Sequence, residues 1–153
     1  MNILIAHGVN LDLLGRRNST HYGSLDLKQL TSILDQKAEQ ISHIFQIAIH
    51  LSHFQTNDEK EYLERVSQSR IDGAILNPGA WTHTSLALAD RLEAVGLKFI
   101  EVHLSLPETR ESIRRISHLR MHAQGVICGL KETSYTSALY AIVEILIASQ
   151  TTP

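Results

Sequence analysis

The sequence lacks most of the features that would place a protein in a class at a glance. Its 153 residues contain one cysteine, Cys128, which rules out an intrachain disulfide and fits a reduced, cytoplasmic setting. No apolar run approaches the ~20 residues of a membrane span, so no membrane association is expected. Fourteen Lys and Arg stand against sixteen Asp and Glu, with no basic block, which argues against a nucleic-acid partner. Neither GxGxxG nor GxxxxGKS/T occurs, so nothing supports a nucleotide site. There is no GxSxG elbow, and Cys128 has no local partner that would mark it as a nucleophile. Repeats, linkers and low-complexity segments are absent too. The length suits one domain, residues 1–153, with a single well-buried core.

Alternation of strand and helix is the main pattern present. Asn2–Ala6 reads as a short buried strand, and MNILIAHG as part of the fold rather than a signal peptide, since no basic n-region precedes it. Residues 7–25 form a long polar loop, of a length that is usually functional or mobile. Helical spacing runs from about Asp26 to Ser42, followed by a strand at Phe45–Leu51. Thr56-Asn57-Asp58-Glu59 has the form of a capping box opening a helix to about Ser69. Gly73–Leu76 is a third strand, with a helix from about Thr82 to Val95 closed by Gly96. Lys98–His103 is a fourth strand, Glu108–Ser117 a short helix, Val126–Cys128 a fifth strand and Tyr135–Ala148 a final helix. Five such alternations predict a flavodoxin-like three-layer α/β fold with a five-stranded parallel sheet in the order 2-1-3-4-5. The last helix is apolar nearly all round, which predicts a further face buried in an oligomer.

Chemistry concentrates where this topology brings loops together. Ile75–Thr84 (ILNPGAWTHT) runs from a buried strand through a Pro-Gly turn into a helix start, where Thr82 or Thr84 can cap and His83 meets a field unfavourable to a positive imidazole. Residues past strands 1, 3 and 4 share one sheet edge. These are Asn10, Arg17 and Tyr22 from the first loop, Asn77 and His83 from the third, and Glu101, His103 and Ser105 from the fourth. Glu101 and His103 differ by two and face the same side, so His103 can pair a carboxylate that is otherwise costly in an apolar strand. Singly, each residue has an ordinary explanation: a core histidine at His103, a solvated charge at Arg17, a loop anchor at Tyr22. Nine histidines raise the question of a metal, but the sequence has no HExxH or comparable spacing, and none is expected.

These motifs resemble the type II 3-dehydroquinate dehydratases. The resemblance rests on HGVNLDLLGRR followed by HYG (7–23), FQTNDE (54–59), LNPGAWTHTS (76–85), IEVHLS (100–105), the RESIRR run (110–115), GVICG and SYTSAL. It implies a cofactor-free, flavodoxin-like enzyme that removes water from 3-dehydroquinate to give 3-dehydroshikimate, in the shikimate route or in quinate breakdown. It also implies a homo-oligomer, a dodecamer built as a tetramer of trimers. By the same resemblance Tyr22 is the base, activated by Arg17, and Asn10 holds a water that meets the enolate. His83 is the acid, positioned with the substrate by Asn77, Glu101 and His103. Backbone N–H groups of Leu104 and Ser105 hold the substrate carboxylate, Arg114 reaches ring hydroxyls, and Asp90 contacts a neighbouring subunit's site. An arginine beside a phenol of reference pKa near 10 favours phenolate, so the Arg17–Tyr22 pair is chemically sensible on its own terms.

The departures from the family fall around the first loop and its supports. The usual Asn-Gly-Pro-Asn reads His7-Gly8-Val9-Asn10, and Arg-Glu-Pro reads Arg17-Asn18-Ser19, which predicts a looser loop. Leu106 stands for an asparagine, Ile116-Ser117 for His-Ser, and Lys131 and Ser134 for glycines. Two other readings stay open. One is a metal-dependent hydrolase using His7, His50, His83 and His103. The other is a non-catalytic flavodoxin-like binding module, which leaves Glu101 unexplained.

Overall fold

The computed structural model describes residues 1–16 and 23–151. Its strands are β1 (Asn2–His7), β2 (His50–Gln55), β3 (Gly73–Asn77), β4 (Phe99–His103) and β5 (Gly125–Cys128). Its helices are α1 (Leu27–Phe45), α2 (Glu59–Val66), the one-turn α3 (Trp81–Thr84), α4 (Leu86–Val95) and α5 (Glu132–Thr151). The strands pair in parallel in the order β2-β1-β3-β4-β5, the flavodoxin-like order expected from the alternation.

Side chains alternate between two cores, as the two-residue strand period requires. Ile3, Ile5, Ile75, Ile100 and Val102 pack under α1 and α5. Leu4, Ala6, Ala74, Leu76 and Phe99 pack under α2 and α4. Each fully buried Leu, Ile, Val or Phe among them contributes about 1.5–3 kcal/mol relative to exposure. At the C-terminal ends of β1 and β3 the two following loops interlock. A Cβ at Gly8 would lie 2.4 Å from the Pro78 carbonyl oxygen, and one at Gly79 (φ +65°) 2.6 Å from the Val9 carbonyl oxygen. Only glycine permits that approach, and it holds the first loop against the Asn-Pro-Gly turn.

Several expected boundaries shift, each for a local reason. β1 extends to His7, which is a buried strand residue rather than part of the loop. The stretch Phe45–Leu51 is mostly not strand. α1 continues to Phe45 and ends at Gln46 in the left-handed conformation, with Phe45 packed against Tyr140 at 5.5 Å. The true β2, His50-Leu51-Ser52-His53-Phe54-Gln55, lies at the sheet edge and is only partly buried, so its polar residues hid it. α2 is capped by Asp58, which accepts from the Lys60 and Glu61 N–H groups, and it ends at Val66 rather than Ser69. Thr56 instead donates to the Glu61 carboxylate at 2.6 Å.

The helix expected from Thr82 to Val95 is two helices. Ser85 breaks it at φ −99°, ψ 99°, and its hydroxyl caps α4 by accepting from Leu88 N–H. Neither Thr82 nor Thr84 caps. Glu108–Ser117 is not an α-helix but two 3-10 turns, Pro107–Thr109 and Ser112–Arg115. α5 is longer than expected and its own chain covers it. Tyr135, Ala138, Leu139, Ile142, Val143 and Leu146 are buried, and Tyr140, Ile145 and Ile147 pack against the same core. The inference of an oligomer from that helix therefore loses its basis. Large apolar side chains that are exposed lie elsewhere, including Leu86, Leu106, Ile113, Ile116 and Met121.

Candidate active site

A cleft opens above the C-terminal ends of β1, β3 and β4. It is lined by Asn10, Asn77, His83, His103, Leu104, Ser105, Arg110 and Arg114, among others. Most of the residues singled out from the sequence thus meet at one place. Glu101 lies just beneath, bonded to His103. Asp90 does not line this cleft; it is exposed on α4. Arg17 and Tyr22 lie outside the described residues, as does the expected loosening of the loop at Asn18 and Ser19.

The first loop enters through Asn10, held at φ 66° with its N–H donated to the Asn57 side chain at 2.8 Å. β3 ends on Asn77, whose Oδ1 accepts from Gly79 N–H at 3.2 Å and whose Nδ2 donates to the Tyr135 hydroxyl at 2.9 Å. Tyr135 is buried in the first turn of α5 and also meets His7 Nδ1 at 3.0 Å. Burial raises the Tyr135 phenol well above its ordinary value, so it stays protonated.

Glu101 is fully buried yet ionised. Its Oε1 receives His103 Nε2 at 2.7 Å and the Thr82 hydroxyl at 2.5 Å, and its Oε2 receives the Ser117 hydroxyl at 2.7 Å. Burial alone raises this carboxyl, but the His103 bond and charge and the two hydroxyls outweigh it and hold it below its ordinary value. Removing any one of these donors would expose the carboxylate to an unmatched burial cost. Ser117 in turn accepts from the Leu119 and Arg120 N–H groups, which fixes the turn from Ser117 to Arg120. Sequence reasoning did not give Thr82 and Ser117 this role; a buried acid with one visible partner was the signal that more donors were required.

His83 stands over His103 with ring centroids 6.3 Å apart and planes inclined by 15°. Its Nδ1 lies 2.6 Å from the Ile116 carbonyl oxygen. A carbonyl can only accept, so Nδ1 carries the hydrogen and Nε2 of the neutral ring is left as an acceptor. Desolvation lowers the His83 pKa; the Ile116 bond opposes this, while His103 and Arg114 lower it further. The expected cause is a helix start, whereas His83 is the third residue of the one-turn α3 and the lowering comes first from burial. Arg114 is steered by Glu111, whose carboxylate lies 2.6 Å from its Nε and 3.7 Å from Arg110 Nε.

A metal centre on His7, His50, His83 and His103 does not assemble. His50 sits opposite Asn2 at the other end of the sheet, while His7 lies opposite Gln55 and Asn77. Among the described residues, no three His, Cys, Asp or Glu side chains converge as a metal site requires.

The fold and cleft agree with known proteins. The profile of the family described as Dehydroquinase class II matches residues 1–143. The chain is 45% identical over 150 residues to a 3-dehydroquinate dehydratase of Vibrio cholerae, covering 97% of this chain and 96% of the relative. It is 46% identical over 146 residues to one of Pasteurella multocida, covering 94% and 95%. Among solved structures, a type II dehydroquinase from Butyrivibrio crossotus superposes with a TM-score of 0.82 at 30% identity, covering 96% of this chain and 97% of the other. One from Propionibacterium acnes gives 0.81 at 29% identity, covering 94% and 96%. Matched along nearly its whole length in both sequence and fold, the chain belongs to the class II dehydroquinase family.

Proposed function

We propose that the protein is a type II 3-dehydroquinate dehydratase, a hydro-lyase of the shikimate pathway that converts 3-dehydroquinate to 3-dehydroshikimate. The observation that carries this reading is the buried Glu101–His103 pair at the floor of a cleft rimmed by Asn10, Asn77, His83 and Arg114. A non-catalytic module would have no use for an ionised carboxylate maintained there at such a desolvation cost.

The reaction removes a proton from the carbon beside the ring ketone. Its electron pair moves onto the ketone oxygen as an enolate, then returns to expel the hydroxyl, which leaves as water once protonated. Tyr22, as phenolate beside Arg17, takes the proton. Asn10 holds the water that stabilises the enolate oxygen, and the Leu104 and Ser105 N–H groups receive the carboxylate. Arg114 and Asn77 hold ring oxygens.

The sequence reading gave the acid role to His83; the geometry favours His103. The His83 hydrogen is committed to Ile116, and its ring resists a second proton. A positive charge on His103 instead faces the Glu101 carboxylate directly. In this assignment His103, backed by Glu101, protonates the leaving hydroxyl, and His83 Nε2 accepts a hydrogen bond from the substrate.

We read residues 1–153 as one catalytic domain, without a cofactor, working in the cytoplasm as a homo-oligomer. A dodecamer arranged as a tetramer of trimers is the assembly proposed, with Asp90 reaching a neighbouring site. Among the described residues no helix is long and apolar enough to cross a membrane. The test is the absorbance of the conjugated enone formed from 3-dehydroquinate after exhaustive chelation. Turnover is expected to persist. No product, or activity that vanishes on chelation and returns with a metal, would overturn the reading.

A further inference from the structure

Behind the cleft wall three polar side chains form a chain closed to solvent. The Tyr135 hydroxyl oxygen lies 3.0 Å from His7 Nδ1 and 2.9 Å from Asn77 Nδ2. His7 is 1% exposed, Tyr135 0% and Asn77 4%. Its hydrogens are placed by its ends. Asn77 Oδ1 is occupied by Gly79 N–H, so Nδ2 faces Tyr135 and donates to it. The phenol hydrogen then needs an acceptor, and His7 Nδ1 is the one within reach. His7 must carry its own hydrogen on Nε2, a buried atom with no partner among the described residues. The opposite tautomer would strand both the phenol hydrogen and the Nε2 lone pair, which is worse by one group.

An unmatched buried N–H is destabilising, and an apolar side chain at position 7 would avoid it. What the imidazole supplies in return is an acceptor that fixes the direction of the Tyr135 hydroxyl. We propose that His7 is a positioning residue for the dehydration: through Tyr135 it locks the Asn77 amide so that its remaining Nδ2 hydrogen is presented to the substrate. This rests on the reading that Asn77 binds the substrate. His7 lies opposite both Gln55 and Asn77 in the sheet register, and burial, with His53 nearby, lowers its pKa to about 3. It therefore remains a neutral acceptor at every pH at which the enzyme would work.

Two measurements test the proposal. Long-range nitrogen–proton NMR on the intact wild-type protein should show His7 in the Nε2–H form, unchanged from about pH 5 to 8. Kinetics should compare His7→Leu, Tyr135→Phe, the double variant and His7→Asn, whose side-chain oxygen can again accept from Tyr135. His7→Leu is expected to raise KM about tenfold, with a smaller change in kcat, because it loosens a group that holds substrate and transition state alike. The double variant should be no worse than Tyr135→Phe alone, and His7→Asn should recover most of the lost affinity. An Nδ1–H form, strictly additive effects, or an unchanged KM in His7→Leu would overturn it. If His7→Leu does not fold, the NMR tautomer and His7→Asn decide. Asn77→Ala separates the two levels: if it leaves KM unchanged, the reading of the site fails and the proposal with it. If it impairs binding while His7→Leu does not, the proposal fails alone.

Discussion

Glu101 Oε1 and His103 Nε2 lie 2.7 Å apart on one strand, and the His103 ring is stacked with that of His83. Two stacked imidazoles do not both carry charge cheaply, and the carboxylate stands beside only one of them. His103→Asn is therefore expected to lower kcat by about 10²–10⁴-fold, the range of general-acid catalysis. His83→Asn should act mainly on KM. Steady-state kinetics on both variants decide it; the reverse pattern would return the acid role to His83.

The base is tested in the same way. Tyr22→Phe should lose at least ~10²-fold in kcat with little change in KM, since the ring is retained and only the ionisable oxygen is removed. A variant with wild-type kcat would place the base elsewhere.

Ser117 supplies the only donor bonded to Glu101 Oε2 among the described residues. Ser117→Ala leaves that oxygen buried and unmatched, at a cost of about 1–3 kcal/mol. It also removes an interaction that keeps the carboxyl ionised. The expected result is a lower Tm together with an acid limb of the kcat profile displaced to higher pH, because a more basic Glu101 is protonated sooner as pH falls. A lower Tm with an unmoved profile would mean that Ser117 only braces the turn to Arg120.

His7 makes stability depend on pH in a defined direction. Burial, and secondarily His53, lowers its pKa from 6.5 to about 3 in the folded protein. Between those values the unfolded chain binds a proton that the folded chain refuses, so stability falls as pH drops through this window, by about 1.4 kcal/mol per pH unit. Urea unfolding at fixed protein concentration between pH 6 and 5 should show this slope in the wild type and not in His7→Asn. Glu101 adds its own loss at lower pH, where its carboxyl is finally protonated. Parallel slopes in the two proteins would exclude His7 as the source.

Sheet order and most of the cleft were readable because both follow from coarse regularities. Buried parallel strands are continuous apolar runs, and the topology alone brings the ends of β1, β3 and β4 together. What escaped was set by tertiary contacts. β2 was misplaced because an edge strand need not be apolar, and the neighbouring Phe45-Gln46-Ile47 looked more like a strand than His50–Gln55 does. The break at Ser85 was hidden because no Gly or Pro marks it, and the strong helix formers Leu86–Ala89 follow directly. Thr82 and Ser117 carry no local mark of their service to Glu101, thirty-five positions apart and joined only across the fold. The same limit applied to the choice of acid, which turns on which atom meets Ile116.

The break at Ser85 also bears on Asp90. His83 lies on α3 and Asp90 on α4, two separate helices rather than the one expected from Thr82 to Val95. Asp90 is exposed on α4, one turn from Leu86, and Leu86 is 61% exposed. Residues four apart on a helix share a face, so an apolar side chain and a carboxylate stand together on an outward surface, as a contact between subunits would require. Asp90→Ala is expected to raise KM about tenfold, the size of one charged hydrogen bond, while sedimentation shows the assembly unchanged. Leu86→Lys should instead weaken the assembly itself. An assembled Asp90→Ala protein with wild-type KM would confine Asp90 to the surface of its own subunit.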